Sequence, residues 1–300
     1  MADRFFRAST DQFSLFLCSS CGLMFLDEEA VMERIPEFYP TGYWWEEGGD
    51  AFGLERRYRE WMVRNDQLRF LLSVVPEPRS CRLLDVGCGG GTFLKLANQE
   101  GFEAFGLEQS AEAVRISQKY LPDRVIEGSE EELISRGEKF DVITLFHVLE
   151  HLPSPFAYLK NLKKLLKKPA GLVIQAPNSR SLQAKIFGPR WYGLDCPRHL
   201  YNYTSFSLLH LLGRAGFRIH RVRNFSLRDN AAACVSSLFP GLDPMSQKVR
   251  RRNSTGMGPS SALVLKEAIY LALLVLAQPF ALMEAGLGRG GTITVYATVD

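Results

Sequence analysis

Asp85, Gly87, Gly89, Gly90 and Gly91 fall within seven residues, directly after the apolar positions Leu83, Leu84 and Val86. A second acid, Glu108, closes the run FEAFGLE (Phe102 to Glu108). Glycine has no Cβ, so this cluster lets the chain bend sharply and a ligand approach the backbone closely. The N–H groups opening a following helix favour negative charge. Asp85, just before the bend, suits a positive group, and an acid at the end of the next strand suits ribose hydroxyls. These are the parts of a nucleotide-type site. A dinucleotide fingerprint reads G-x-G-x-x-G with an acid roughly 20 residues on. Here Gly87, Gly89 and Gly91 read G-x-G-x-G, and Thr92 stands where the dinucleotide pattern wants its third glycine.

Two further groups could do chemistry. His147, Glu150 and His151 form H-x-x-E-H, a spacing also met in reversed zinc-protease motifs. That use needs the motif on a helix with another ligand, whereas here it ends a strand and runs into Leu152-Pro153-Ser154-Pro155, so no metal is expected. Tyr192, Arg198, His199, Tyr201 and Tyr203 place hydrogen-bonding groups between flat rings, which suits gripping a hydroxylated or aromatic acceptor. An imidazole titrates near neutrality, so His199 could act as a base or equally pin its loop. Cys18 and Cys21 form one C-x-x-C knuckle, where a structural zinc site needs four ligands. A hairpin turn with two free thiols is favoured over half a zinc ribbon.

The elements that must position these residues follow from periodicity. Leu54, Tyr58, Trp61, Leu68 and Leu72 share one helical face, and Pro76 and Pro78 end that helix. From Cys81 strands alternate with helices: a strand to Val86, a helix from Thr92, a strand to Glu108 and a helix over Ala111 to Tyr120. A short strand at Arg124 to Glu127 and a strand at Phe140 to Phe146 follow. Such alternation predicts a parallel sheet with helices on both faces and a ligand site outside the carboxyl ends of its strands. Phe156 to Lys168 reads as a helix with Leu159, Leu162 and Leu166 inward. Its lysines (160, 163, 164, 167, 168) form a solvated face, and no stacking aromatics are interleaved, so nucleic acid is not the expected partner.

LLDVGCGGGTFL followed by GLEQS resembles motifs I and II of the Rossmann-like, class I S-adenosylmethionine (SAM) dependent methyltransferases. FDVITLFHVLEHLPSP is similar to that superfamily's fourth strand and following loop, and GLVIQAPN to its fifth strand. Trp191 to Ile219 resembles the subfamily found among polysaccharide and small-molecule biosynthetic enzymes. The resemblance implies a seven-stranded, mostly parallel sheet with an N-terminal lid and an inserted C-terminal helical segment. It implies SAM as cofactor, held by Asp85, Gly87, Cys88, Gly89, Gly91, Glu108 and Gln109, with Ser129, Glu130, Phe146 and His147 completing the site. Glu150, Tyr192, Arg198 and Tyr201 would meet the substrate, with His151 or His199 as catalytic base. The implied reaction is O-methylation of a small-molecule, sugar or lipid-linked acceptor. An NAD-dependent oxidoreductase and a non-catalytic adaptor at a membrane are the alternatives.

Three hundred residues, 46 % hydrophobic and 23 % charged, with net charge +3, suit a soluble globular chain. The start, MADRFFRASTDQF, lacks the long apolar core of a signal peptide, and six scattered cysteines favour a reducing cytoplasm. The expected layout is a Cys-containing hairpin and aromatic lid (1–45, including Tyr39, Tyr43, Trp44 and Trp45), a core (46–226), an insertion (227–290) and a last strand (291–300). Asp243 to Ser261, with Lys248, Arg250, Arg251 and Arg252, is expected to be flexible. Ala268 to Met283 is 16 residues without a charge, short of the roughly 20 a spanning helix wants and interrupted by Gln278-Pro279. Residues 262–283 are expected to hide in the core or a homodimer seam, with peripheral contact at the inner face of a membrane as the next reading.

Overall fold

The alternation read from the sequence is realised from Arg82 onward. The computed structural model describes residues 1–27, 31–39, 54–247 and 261–299. Tyr43, Trp44, Trp45, Lys248 and Arg250 to Arg252 lie outside the described residues. The elements in chain order are β1 (Leu15–Leu17), β2 (Met24–Leu26), α1 (Leu54–Val63), α2 (Arg69–Leu72), β3 (Arg82–Val86), α3 (Thr92–Gln99) and β4 (Glu103–Glu108). Then come α4 (Ala111–Ser117), β5 (Val125–Glu127), α5 (Glu130–Ser135), β6 (Phe140–Phe146), α6 (Pro155–Leu165), β7 (Leu166–Pro177), α7 (Leu182–Phe187) and β8 (Tyr201–Asn202). α8 (Ser205–Ala215), β9 (Arg218–Arg223), α9 (Asp229–Leu238), α10 (Ser261–Gly286) and β10 (Thr292–Val299) complete the chain. A π-helical turn, Arg64–Leu68, joins α1 to α2. The chain forms two compact units, one of residues 1–58, 177–207 and 224–293, the other of 59–176, 208–223 and 294–300.

The second unit carries a seven-stranded sheet in the order β5-β4-β3-β6-β7-β10-β9. β3 pairs parallel with β4 and β6, β4 with β5, and β6 with β7, while β9 and β10 are antiparallel. β3 is therefore where the strand order reverses, and its carboxyl end is the position such sheets use for ligands. Burial explains the strand: Leu83 and Leu84 are fully buried, and Phe93, Leu94, Leu96 and Ala97 of α3 pack in the same apolar core. A strand covered on both faces reads as a continuous apolar run.

Two expectations shift here. α6 ends at Leu165, not Lys168, because Leu166 pairs with Phe140 and opens β7. The next pair is Val142 with Gly171, so Lys167 to Ala170 bulge from the ladder, which is where a strand tolerates Pro169. The lysines consequently do not form one face. Lys163 donates to the Gly216 carbonyl at 2.8 Å and Lys167 pairs with Asp141 at 2.8 Å. The helix expected to run to Tyr120 ends at Ser117.

The first unit holds a three-stranded sheet in the order β1-β2-β8. Cys18 and Cys21 sit in the turn of the antiparallel β1–β2 hairpin, closed by the Gly22 N–H on the Cys18 carbonyl at 2.9 Å. Trp191 to Tyr203, aperiodic in sequence, contains one 3-10 turn, Tyr192–Leu194, and β8. α10 runs for 26 residues straight through Gln278-Pro279. Tyr270 and Leu274 pack against Ala231 and Val235 of α9. By length and composition, Leu263–Gly286 could cross a membrane, yet its Glu284 is fully buried in this unit. Glu284 accepts from the side chain of Gln183 at 2.6 Å and from the Gly291 N–H at 3.1 Å, and Gln183 in turn accepts from the Trp191 indole at 3.0 Å. Asp243, expected in a flexible stretch, is buried and accepts from the Ser246 N–H at 2.7 Å and the Ser236 hydroxyl at 3.0 Å.

Candidate active site

The bend after β3 is built at close quarters. Gly91 has φ +77°, and a Cβ there would stand 2.8 Å from the Cβ of Ser117. Gly87 has φ +65°, where a Cβ would meet Val148 at 2.5 Å. Both positions therefore need glycine for conformation and for space. Four N–H groups of the bend bond within the protein. Those of Gly87 and Cys88 donate to the Leu107 carbonyl, that of Gly91 to the Cys88 carbonyl, and that of Gly89 to Glu108. The Cys88 side chain is buried against Gly106, and burial first of all pushes its thiol well above the ordinary range.

Glu108, at the end of β4, faces this bend. Its Oε2 accepts from the Gly89 N–H at 3.0 Å, and its Oε1 accepts from the N–H groups of Gln109 at 2.8 Å and Ser110 at 2.9 Å. A carboxylate offers about four acceptor positions. Three are filled by the chain, which leaves one on Oε2 for a ligand hydroxyl. Burial raises the Glu108 carboxyl above the usual range, opposed by these three bonds.

Asp85 is buried beside it. Burial pushes its carboxyl up to about 7; a bond donated by the Thr144 hydroxyl at 2.7 Å opposes the rise, and the negative charge of Glu108 adds to it. Thr144, in the apolar run of β6, is a positioning residue that sequence reasoning missed, since a threonine amid Val142, Ile143 and Leu145 reads as core. The bend thus presents two buried acids and one hydroxyl-accepting position. That arrangement attracts a cation carrying hydroxyls and repels a phosphate.

The same unit places the other expected cofactor residues at the strand ends. Ser129 precedes α5, and Glu130 is buried with its carboxyl raised first by burial and held by the Asn161 amide at 3.1 Å. Phe146 ends β6 and packs edge-to-face on Phe93, ring centroids 4.7 Å apart. His147 adopts φ +59°, unusual for a side-chain-bearing residue, and its N–H donates to the Gln175 carbonyl at 2.9 Å. Its Nδ1 lies 3.3 Å from the fully buried Glu150 carboxylate. His151 closes the short 3-10 turn Leu149–His151, its N–H on the Val148 carbonyl at 3.0 Å.

The remaining expected residues belong to the first unit. His199 Nδ1 lies 2.8 Å from the Gly193 carbonyl, which can only accept, so Nδ1 carries the proton and Nε2 the basic lone pair. Tyr192 packs edge-to-face on Phe5 at 4.7 Å, and Tyr201 stacks on Tyr203 at 6.2 Å. Arg198 requires a correction. All five of its N–H donors are used within the unit: on Asp195 at 2.5 and 2.9 Å, on Asp3 at 3.0 and 3.1 Å, and on the Phe38 carbonyl at 3.1 Å. Its guanidinium lies 4.3 Å from the Phe6 ring centroid. It ties the N-terminus to the 195–199 loop and has no donor left for a substrate.

Comparison with known proteins bears on the family and the fold. A family model described as a methyltransferase domain matches residues 54–222. A ubiquinone biosynthesis O-methyltransferase of Cereibacter sphaeroides is 30 % identical over 147 residues, 45 % of this chain and 59 % of that protein. Its counterpart in Histophilus somni is 24 % identical over 189 residues, 57 % of this chain and 76 % of that protein. The chain spans about three-fifths of the length of the first of these relatives. A solved SAM-dependent methyltransferase of Archaeoglobus fulgidus matches with TM-score 0.50 and 20 % identity over 83 % of this chain and 100 % of that chain, a likeness of fold. The chain belongs to the methyltransferase-domain family.

Proposed function

We propose that the chain is a SAM-dependent methyltransferase acting on an oxygen of a small-molecule acceptor. The observation that carries the reading is the pair of buried acids, Asp85 and Glu108, side by side at the bend after β3. A dinucleotide's pyrophosphate would meet two acids at this bend, which argues against the oxidoreductase alternative. Asp85 takes the cofactor's ammonium group, and Oε2 of Glu108 accepts one ribose hydroxyl. When bound, SAM supplies a sulfonium-activated methyl group. The chain then has to position the acceptor and remove one proton, and orientation alone can supply roughly 7–11 kcal/mol at the upper end. His151 and His199 are the candidate bases. The relatives named for O-methylation in ubiquinone biosynthesis support an oxygen nucleophile.

The test is transfer of label from methyl-tritiated SAM, by the full chain, into a bacterial metabolite extract, with products identified by mass spectrometry. The expected result is label in a methyl ether or ester. Label in an N-methyl product would overturn the oxygen assignment, and saturable SAM binding without transfer would overturn the catalytic reading. Replacing His151 and His199 together by alanine with turnover unchanged would remove both as bases.

A further inference from the structure

The first unit contains a cleft of about 870 Å³, lined by none of the residues of the bend after β3. Ligand sites commonly occupy 300–1,000 Å³, so a phosphate ion alone would leave most of this space empty. One part of the wall is apolar: Leu15 and Met24 from the β1–β2 hairpin, Leu194, and Phe206, which is 60 % exposed. The other part carries three cations, Arg180, Lys185 and Arg289. None of these three side chains has an ion-pair or hydrogen-bond partner among the described residues. Cations gathered at one apolar cleft without counter-charges repel one another, and a bound anion relieves that repulsion.

The cleft joins residues of the family match, Arg180, Lys185, Leu194 and Phe206 among them, to residues outside it. Leu15, Met24 and Arg289 lie outside the residues matched by the methyltransferase-domain family. The cleft also adjoins an apolar surface. Leu265, Ile269, Leu276 and Met283 form an exposed stripe along α10, and the exposed Leu287 leads directly into Gly288 and Arg289 of the cleft wall. A long apolar tail leaving the cleft at that side would meet apolar side chains instead of water.

We propose that this cleft binds a phosphate-headed amphiphile, its head on Arg180, Lys185 and Arg289 and its chain along Leu15, Met24, Leu194 and Phe206. The head-group chemistry explains the cations and the chain explains the remaining volume. The site does not depend on the methyl-transfer reading, since none of its residues takes part in that reading.

The test is calorimetric titration of the full chain with octyl phosphate below its micelle threshold, beside octanol and inorganic phosphate. Octyl phosphate is expected to bind at one per chain, and each of the other two at least tenfold more weakly. The triple variant Arg180→Ala, Lys185→Ala, Arg289→Ala removes exposed side chains and should fold normally. It is expected to bind on the order of 100-fold more weakly, about fivefold per cation. Phe206→Ser, also exposed, is expected to cost about fivefold and to flatten the dependence on chain length. Binding by the triple variant within twofold of wild type, or inorganic phosphate as tight as octyl phosphate, would overturn the proposal. Vesicles of phosphatidylcholine with phosphatidate separate the sources of the head group. Vesicle binding that survives the triple substitution, with no binding of octyl phosphate, would identify a surface patch and also overturn it.

Discussion

Asp85 offers a stability cost that can be traded against ligand binding. Its carboxyl is buried and pushed up to about 7, against 3.8 for the exposed group. The neutral form is therefore favoured in the fold, so the contribution to stability is fully present below about pH 3.8 and is lost as pH rises through 7. One pKa unit is worth about 1.4 kcal/mol, so burying this carboxyl costs the fold roughly 4 kcal/mol at pH 8, where it is ionised, and about 2 kcal/mol at pH 5, where it is held protonated. Asp85→Asn keeps an oxygen for the Thr144 hydroxyl and removes that cost. Urea denaturation should show the variant more stable than wild type at pH 8 by up to about 4 kcal/mol, with the gap falling by about 2 kcal/mol at pH 5. SAM affinity should move the opposite way. Only the ionised acid holds an ammonium, so the wild-type dissociation constant should rise about tenfold from pH 8 to pH 6, while the variant binds weakly at both. Equal pH dependence of stability in the two proteins, or wild-type affinity constant across that range, would refute this reasoning.

Gly91→Ala places a Cβ 2.8 Å from Ser117 at φ +77° and should cost about 1–3 kcal/mol, read as a lowered urea midpoint; an unchanged midpoint would show that the bend relaxes freely. Arg198→Met leaves the Asp3 and Asp195 carboxylates without their counter-charge and should cost about 3–5 kcal/mol of stability. If Arg198 instead grips substrate, KM will rise with stability intact. Glu108→Ala removes a charged acceptor and should weaken SAM binding by roughly 10- to 100-fold, measured by calorimetry. Affinity within twofold of wild type would place the ribose elsewhere.

How much was legible followed sequence distance. The bend, Glu108 and the parallel strands could be read because each is a local pattern: a buried run, a glycine cluster, an acid at a strand end. Partnerships across the chain could not. Arg198 among tyrosines looks like a hand held out to substrate until Asp3, 195 residues earlier, is seen beneath it. Thr144 looked like core because the carboxyl it holds lies on a neighbouring strand. Helical periodicity ran on through Lys167 and Lys168, but pairing of Leu166 with Phe140 took those residues into β7. Gln278-Pro279 reads as a break, yet α10 continues, held near its end by the buried bonds of Glu284. Local propensity lost each time to a tertiary contact.

The bend after β3, with Asp85 and Glu108, is proposed to select a positively charged nucleoside over a dinucleotide. Equilibrium dialysis of the full chain against radiolabelled SAM and, in parallel, radiolabelled NAD tests it directly. Saturable binding of one SAM per chain is expected, with no saturable NAD binding at the same concentrations. Saturable NAD binding with SAM retained no better than in buffer would contradict it.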